Sequence, residues 1–187
     1  DSCLLTFTQL LQPKRKLDEM ILPEETRQLL TTLILQRGSP PVCHLHGDNG
    51  VGKKSTAEAL CSELGIPILY VELNRLLLSK GNSETLIPLI LREGMLQNAA
   101  LYLNGYDVLL TDENDIKTSG DYLLLELKKY PQWVFVASNK EWRPKETWQD
   151  RPFVSIELPL PSYSMRRQLW EKYWDKNVAL ENDVDFD

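Results

Sequence analysis

The segment Gly47-Asp48-Asn49-Gly50-Val51-Gly52-Lys53-Lys54-Ser55-Thr56 limits this chain to few folds. It runs from an apolar stretch (residues 41–45) into a helix-like one (residues 53–64), so its glycines fall where a strand would turn into a helix. Glycines there let the backbone curl until successive N–H groups and the helix N-terminus face one point, where Lys53 adds a positive charge. Such a cradle binds phosphate. The pattern G-x-x-x-x-G-K-[ST] fits from Gly47 to Lys53 and breaks at its last place, where Lys54 stands for Ser or Thr. The hydroxyl lost there is the usual Mg²⁺ ligand, and an ammonium has no acceptor to offer instead. Ser55 lies one residue on, turned by roughly 100° around the helix, and needs a shift of register to substitute.

At 187 residues the chain suffices for one well-packed domain and little more. Its hydrophobic share of 42% with 26% charged residues is ordinary for a globular protein, so disorder is excluded. A net charge of −6 and a pI near 5.1 argue against a general nucleic-acid surface. Three cysteines without framework spacing point to a reducing compartment. No apolar run approaches the roughly 18 residues of a membrane span. The basic cluster Lys14-Arg15-Lys16 follows the first apolar stretch instead of preceding it, unlike a secretory leader. A cytoplasmic protein with no membrane or nucleic-acid partner is expected.

Apolar stretches alternate with helical patterns, which predicts an α/β fold with a mostly parallel sheet. Residues 1–22 are expected to form an arm and linker, 23–176 the folded domain, and 177–187 a frayed acidic tail. Within the domain, helices are predicted at about 23–36, 53–64, 84–97, 121–129 and 162–175. Strands are predicted at 42–46, 67–73, 100–103, 133–137 and 153–158, with 112–120 as an exposed polar loop. Cys43, His44 and His46 could suggest a metal, but strand alternation puts Cys43 on the face opposite the two histidines.

In this order the parts resemble the core of an AAA+ ATPase over residues 17–174. Gly47 to Thr56 is similar to the Walker A loop, and Ala100-Leu101-Tyr102-Leu103-Asn104-Gly105-Tyr106-Asp107 stands where a Walker B strand belongs. Val134-Phe135-Val136-Ala137-Ser138-Asn139 resembles the strand that ends in the sensor 1 residue. Arg151-Pro152-Phe153, followed by Ile156-Glu157-Leu158-Pro159-Leu160-Pro161, resembles the close of the large subdomain. The resemblance is nearest to bacterial AAA-family ATPases in which this module is one part of a longer chain, such as the degenerate half of a tandem pair. It implies a three-layer α/β/α P-loop NTPase sandwich with five parallel strands in the order 5-1-4-3-2, and a lid subdomain mostly absent.

The resemblance also implies roles. ATP or ADP would lie on Gly47, Asp48, Asn49, Gly50, Val51, Gly52, Lys53, Lys54 and Ser55. Asn139 would contact the γ-phosphate or the attacking water, and Arg151 stands where relatives can carry an arginine that reaches a neighbour's nucleotide. Active relatives place Asp-Glu after the Walker B strand, for Mg²⁺ and for water activation; here those places read Asn104 and Gly105, with Asp107 the nearest remaining acid and candidate metal ligand. A second apolar run, Val108-Leu109-Leu110-Thr111, ends in Asp112-Glu113 and is the competing Walker B position. The pore-loop place, Leu78-Ser79-Lys80-Gly81, lacks the aromatic residue of protein-threading relatives. The aromatic loop around Trp142 and Trp148 is either packing or a subunit contact.

The leading expectation is an ATP-binding module with weak or no hydrolysis and poor Mg²⁺ handling. It would serve structure or regulation beside other modules of a longer chain or neighbouring AAA+ subunits. Two alternatives stay open: an active Mg-dependent ATPase using shifted acids and hydroxyl, and an interaction domain that no longer binds nucleotide. A small-molecule kinase shares the loop but needs an acceptor pocket and lid arginines that this sequence does not offer.

Overall fold

The structure, a computed structural model, describes residues 6–78, 83–110, 114–144 and 151–174. The strands β1 (Thr8–Leu11), β2 (Val42–His46), β3 (Ile68–Glu72), β4 (Ala100–Asn104), β5 (Val134–Ser138) and β6 (Phe153–Glu157) form one sheet in the order β1-β3-β4-β5-β2-β6. β2 to β6 are parallel and, counted from β2, lie in the expected order 5-1-4-3-2. β1 is an addition: it pairs antiparallel with β3, Thr8 opposite Val71 and Leu11 opposite Ile68. From sequence those residues belong to the arm, because an edge strand held by its partner's backbone needs no apolar alternation of its own.

The parallel strands are covered on both faces and therefore read as continuous apolar runs. Leu101, Leu103, Val134 and Val136 meet Leu76 of α3 (Leu73–Leu78), Ile87 and Ile90 of α4 (Ser83–Leu96), and Leu123 and Leu127 of α5 (Asn114–Lys129). The alternate residues Cys43, Leu45, Tyr102 and Phe135 meet Leu30 and Leu33 of α1 (Glu24–Leu35) and Ala57 and Leu60 of α2 (Lys53–Leu64). The three-layer sandwich follows directly. A last helix, α6 (Tyr163–Tyr173), starts on the Ser162 hydroxyl, which accepts the Met165 N–H at 3.4 Å, and buries none of its residues.

Two segments depart from the sequence expectation. Residues 114–120 are the first turns of α5 rather than a loop; Thr118 and Asp121 are exposed, while Gly120 lies so close to Leu109 that a Cβ would stand 3.2 Å from its Cδ2. Val108 to Leu110 belong to a 3₁₀ helix, Tyr106–Leu110, tucked under α5, and do not continue a strand. β4 ends at Asn104, with β5 between it and the β2 strand that leads into the glycine loop. The competing acids Asp112 and Glu113, the pore-loop residues Ser79-Lys80-Gly81, Trp148 and the acidic tail lie outside the described residues. Among the described residues no helix is long and apolar enough to cross a membrane.

Candidate nucleotide-binding site

The loop between β2 and α2 is built on left-handed glycines: Gly47 at φ 140°, Gly50 at 87° and Gly52 at 95°. At Gly47 a Cβ would stand 2.2 Å from the Leu158 carbonyl oxygen, so the loop can pass β6 only without a side chain there. Gly52 caps α2, its carbonyl accepting both the Thr56 N–H at 2.8 Å and the Thr56 hydroxyl at 3.0 Å. Lys53 folds back over the loop. Its Nζ donates to the carbonyls of Gly47 and Asp48, the latter at 3.1 Å, and to Asn139 Oδ1, also at 3.1 Å. Burial pushes the Lys53 pKa down, while Asp107 and Asp48 favour its charged form. The loop lysine and the residue just past β5 therefore meet at one point.

The turn carrying Asn139 is braced from two sides. The Asp107 carboxylate accepts the Asn139 N–H (2.8 and 3.0 Å) and the Lys140 N–H (3.3 Å). A carboxylate engaged by backbone amides in this way braces the turn that carries Asn139. From beneath, the Ser138 hydroxyl donates to the Lys140 carbonyl at 2.7 Å and so is left to accept from His44 Nε2 at 2.6 Å. His44 Nδ1 then faces the Ser155 hydroxyl at 3.4 Å. His44 is fully buried and its ring stacks on His46, 5.1 Å away. Burial first, and the neighbouring His46 second, bring its pKa down to about 4. Trp142 packs edge-on against His44 and Phe153 and tilts over Tyr106, so this part of the aromatic loop is core.

At the ends of β3 and β4 the side chains differ from a metal site. Asn104 Nδ2 donates to Glu72 Oε2 at 2.9 Å, and the Tyr70 hydroxyl donates to the same oxygen at 2.8 Å. Gly105 holds φ 75°, and a Cβ on it would stand 2.7 Å from Asn74 Nδ2. Lys54 Nζ lies over the Tyr70 ring, 4.8 Å from its centroid, and 3.9 Å from Glu58. Mg²⁺ demands a near-ideal octahedron of hard oxygens. An ammonium, an amide donor turned onto a neighbouring carboxylate, and a glycine do not supply it. Among the described residues no three His, Cys, Asp or Glu side chains gather as a metal set.

A profile of the ATPase family associated with various cellular activities (AAA) matches residues 43–160, more than half of the chain. The chain belongs to the AAA family. No curated protein matches it in sequence. Among solved structures, one concerned with katanin self-assembly is 20% identical with a TM-score of 0.71, covering 99% of this chain and 67% of its own. The FIGL-1 AAA domain is 17% identical (TM-score 0.71, covering 92% of this chain and 65% of that one). Its complex with ADP is 16% identical (TM-score 0.70, covering 92% and 66%). These likenesses show the fold, and the chain spans about two thirds of each structure's length.

Arg151 of this AAA domain packs inward. It is buried, and its guanidinium donates to the carbonyls of Pro40, Pro41, Leu127, Tyr130 and Gln132, at the edge of the sheet where β2 and β5 begin. The glycine loop lies at the opposite end of the strands, where β2 ends, so Arg151 does not reach this chain's own loop, and reaching any other group would require it to give up these carbonyls. Conversely, a pocket of about 310 Å³ beside the loop escaped sequence reasoning. Gly50 to Gly52 and Ser55 form one wall; Ile21 and Leu22 of the linker, Leu158, and Met165 and Leu169 of α6 form the others. Three segments distant in sequence converge there, and no local pattern announces it.

Proposed function

We propose that this AAA domain holds ATP or ADP with little or no hydrolysis, and acts structurally or in regulation within a larger assembly. The loop of Gly47–Lys53 would cradle the phosphates. Lys53 would exchange its bonds to the loop carbonyls for phosphate oxygens, with Asn139 beside it. The pocket next to Gly50–Gly52 has the size and mostly apolar lining that suit a nucleobase, and it opens directly onto the loop. The observation that carries weak hydrolysis is Gly105. It cannot act as a base, and a glutamate there would have to adopt a strained left-handed backbone and displace the Asn74 amide. The FIGL-1 AAA domain has been solved with ADP, and the katanin structure concerns self-assembly; both support nucleotide holding beside other AAA modules.

The test is titration of ATP and ADP into wild type and Lys53→Ala, with phosphate release measured in parallel. Binding that collapses in Lys53→Ala, with negligible release, is expected. Turnover of about 1 s⁻¹ or faster, the ordinary enzymatic range, would refute the weak-hydrolysis reading. Wild-type binding that ignores Lys53 would refute the placement of the phosphates.

A further inference from the structure

We infer that Lys54 replaces the divalent cation at this loop, so that the domain takes its nucleotide as the metal-free anion. This rests on the nucleotide-holding reading above and adds the ionic form that the site selects. The two places at which the family pattern handles the metal are 54 and 104. A hydroxyl exchanged for an ammonium adds one positive charge, and a carboxylate exchanged for an amide removes one negative charge. Together the two changes raise the local charge by two, which is the charge Mg²⁺ would have brought.

Geometry puts that charge in the right neighbourhood. Lys54 follows Lys53 in the first turn of α2, where helix amides and the positive end of the helix dipole already favour phosphate. Its ammonium stands over Tyr70, whose hydroxyl bonds the same Glu72 oxygen that takes the Asn104 amide. Lys54 therefore lies on the sheet face that Asn104 shares, between the loop and the ends of β3 and β4. What holds it there is weak: a partly exposed pair to Glu58 at 3.9 Å, screened by solvent, and a ring face. A phosphate oxygen accepting from the ammonium is the stronger partner, so binding nucleotide draws Lys54 onto it. A divalent ion would have to enter beside that ammonium against like-charge repulsion.

Calorimetric titration of ATP and ADP into the 187-residue chain, in EDTA and then in excess Mg²⁺, tests this. Wild type should bind in EDTA at least as tightly as in Mg²⁺. Lys54→Met should weaken binding in EDTA by about tenfold or more, the loss expected of one charge-assisted contact, while Lys54→Arg keeps it. Lys54→Thr combined with Asn104→Asp should make binding depend on Mg²⁺. Wild-type binding tightened about tenfold or more by Mg²⁺ overturns the inference and leaves the nucleotide reading standing. If Glu72→Gln then abolishes that gain, the metal is held by Glu72 instead. Lys54→Met binding like wild type in EDTA also overturns it. Absence of wild-type binding in both buffers overturns the inference and the nucleotide reading together.

Discussion

Arg151 gives the sharpest test, because its geometry and its motif position predict opposite outcomes. Its guanidinium donates to Pro40 at 2.9 Å, Leu127 at 2.7 Å and Pro41 at 3.5 Å, with further bonds to Tyr130 and Gln132. These carbonyls belong to the chain entering β2, the C-terminal end of α5, and the chain entering β5. One cation thus ties three segments and answers the negative end of a helix dipole. Burial lowers its pKa only to about 10, so it stays charged at neutral pH. Arg151→Met keeps the stem's bulk and strands acceptors that water reaches poorly. At about 1–3 kcal/mol for each unsatisfied acceptor, partly relieved by relaxation, a loss of about 3–5 kcal/mol is expected. For a chain of this size that lowers Tm by roughly 10 °C. Lysine should recover little, since one ammonium cannot span the same fan of carbonyls. Urea unfolding followed by tryptophan fluorescence measures the loss, and ATP titration well below the transition shows whether the folded fraction still binds. Stability within about 1 kcal/mol of wild type would refute the clamp, and a residue acting on a neighbour's nucleotide would give that result.

Two further perturbations follow. Gly105→Ala should destabilise the domain by about 1–3 kcal/mol, from left-handed strain and the displaced Asn74 amide, and Gly105→Glu should restore no phosphate release; equal urea midpoints for Gly105→Ala and wild type would show that the strand end is not locked. His44, neutral in the fold with its pKa near 4 against 6.5 unfolded, leaves the unfolded chain binding the extra proton between those values. Its contribution is complete above pH 6.5 and falls as pH drops towards 4, by about 3 kcal/mol in all. His44→Gln should flatten the acid limb of a Tm-against-pH curve, and parallel curves for the two proteins would rule out this titration as its source.

The sheet was legible because parallel strands covered on both faces leave largely apolar runs, such as Val42–His46, followed by Gly47, and Val134–Ser138, followed by Asn139. The glycine loop was legible for a steric reason: its backbone angles tolerate few other residues. β1 was hidden because Thr8–Leu11 is specified by β3's open edge and not by its own pattern. The first turns of α5 were hidden because the run Asn114-Asp115-Ile116-Lys117-Thr118-Ser119-Gly120 has the composition of a loop, while tertiary packing under Gly120 decides otherwise. The Arg151 fan of carbonyl bonds was hidden because motif order fixes a residue's position in the chain but not the contacts on which its side chain is spent. The brace of Asp107 on the Asn139 turn could have been found only from the distance between two loops, which no sequence window contains.

The retained features do not weigh equally in deciding whether the loop is a working cradle or a relic. Gly47 would be kept by the fold alone, since the Leu158 carbonyl excludes a side chain there whatever the loop binds. Asp107 braces the Asn139 turn through its backbone, whereas the Lys53 ammonium only adds bonds to Asn139 and to the loop carbonyls. Burial lowers the Lys53 pKa against the pull of Asp107 and Asp48, so the ammonium gives up part of its hydration to sit among these acceptors. A relic loop would be expected to lose that arrangement first, because a lysine released to solvent is cheaper. At the two places where the family resemblance expects Asp and Glu, Asn104 bonds Glu72 and Gly105 lies against Asn74. On the proposed reading, a Lys53 that can trade loop carbonyls for phosphate oxygens, beside an Asn104 and a Gly105 engaged in local contacts, suits holding nucleotide better than cleaving it, and nucleotide titration with parallel phosphate release decides between the two.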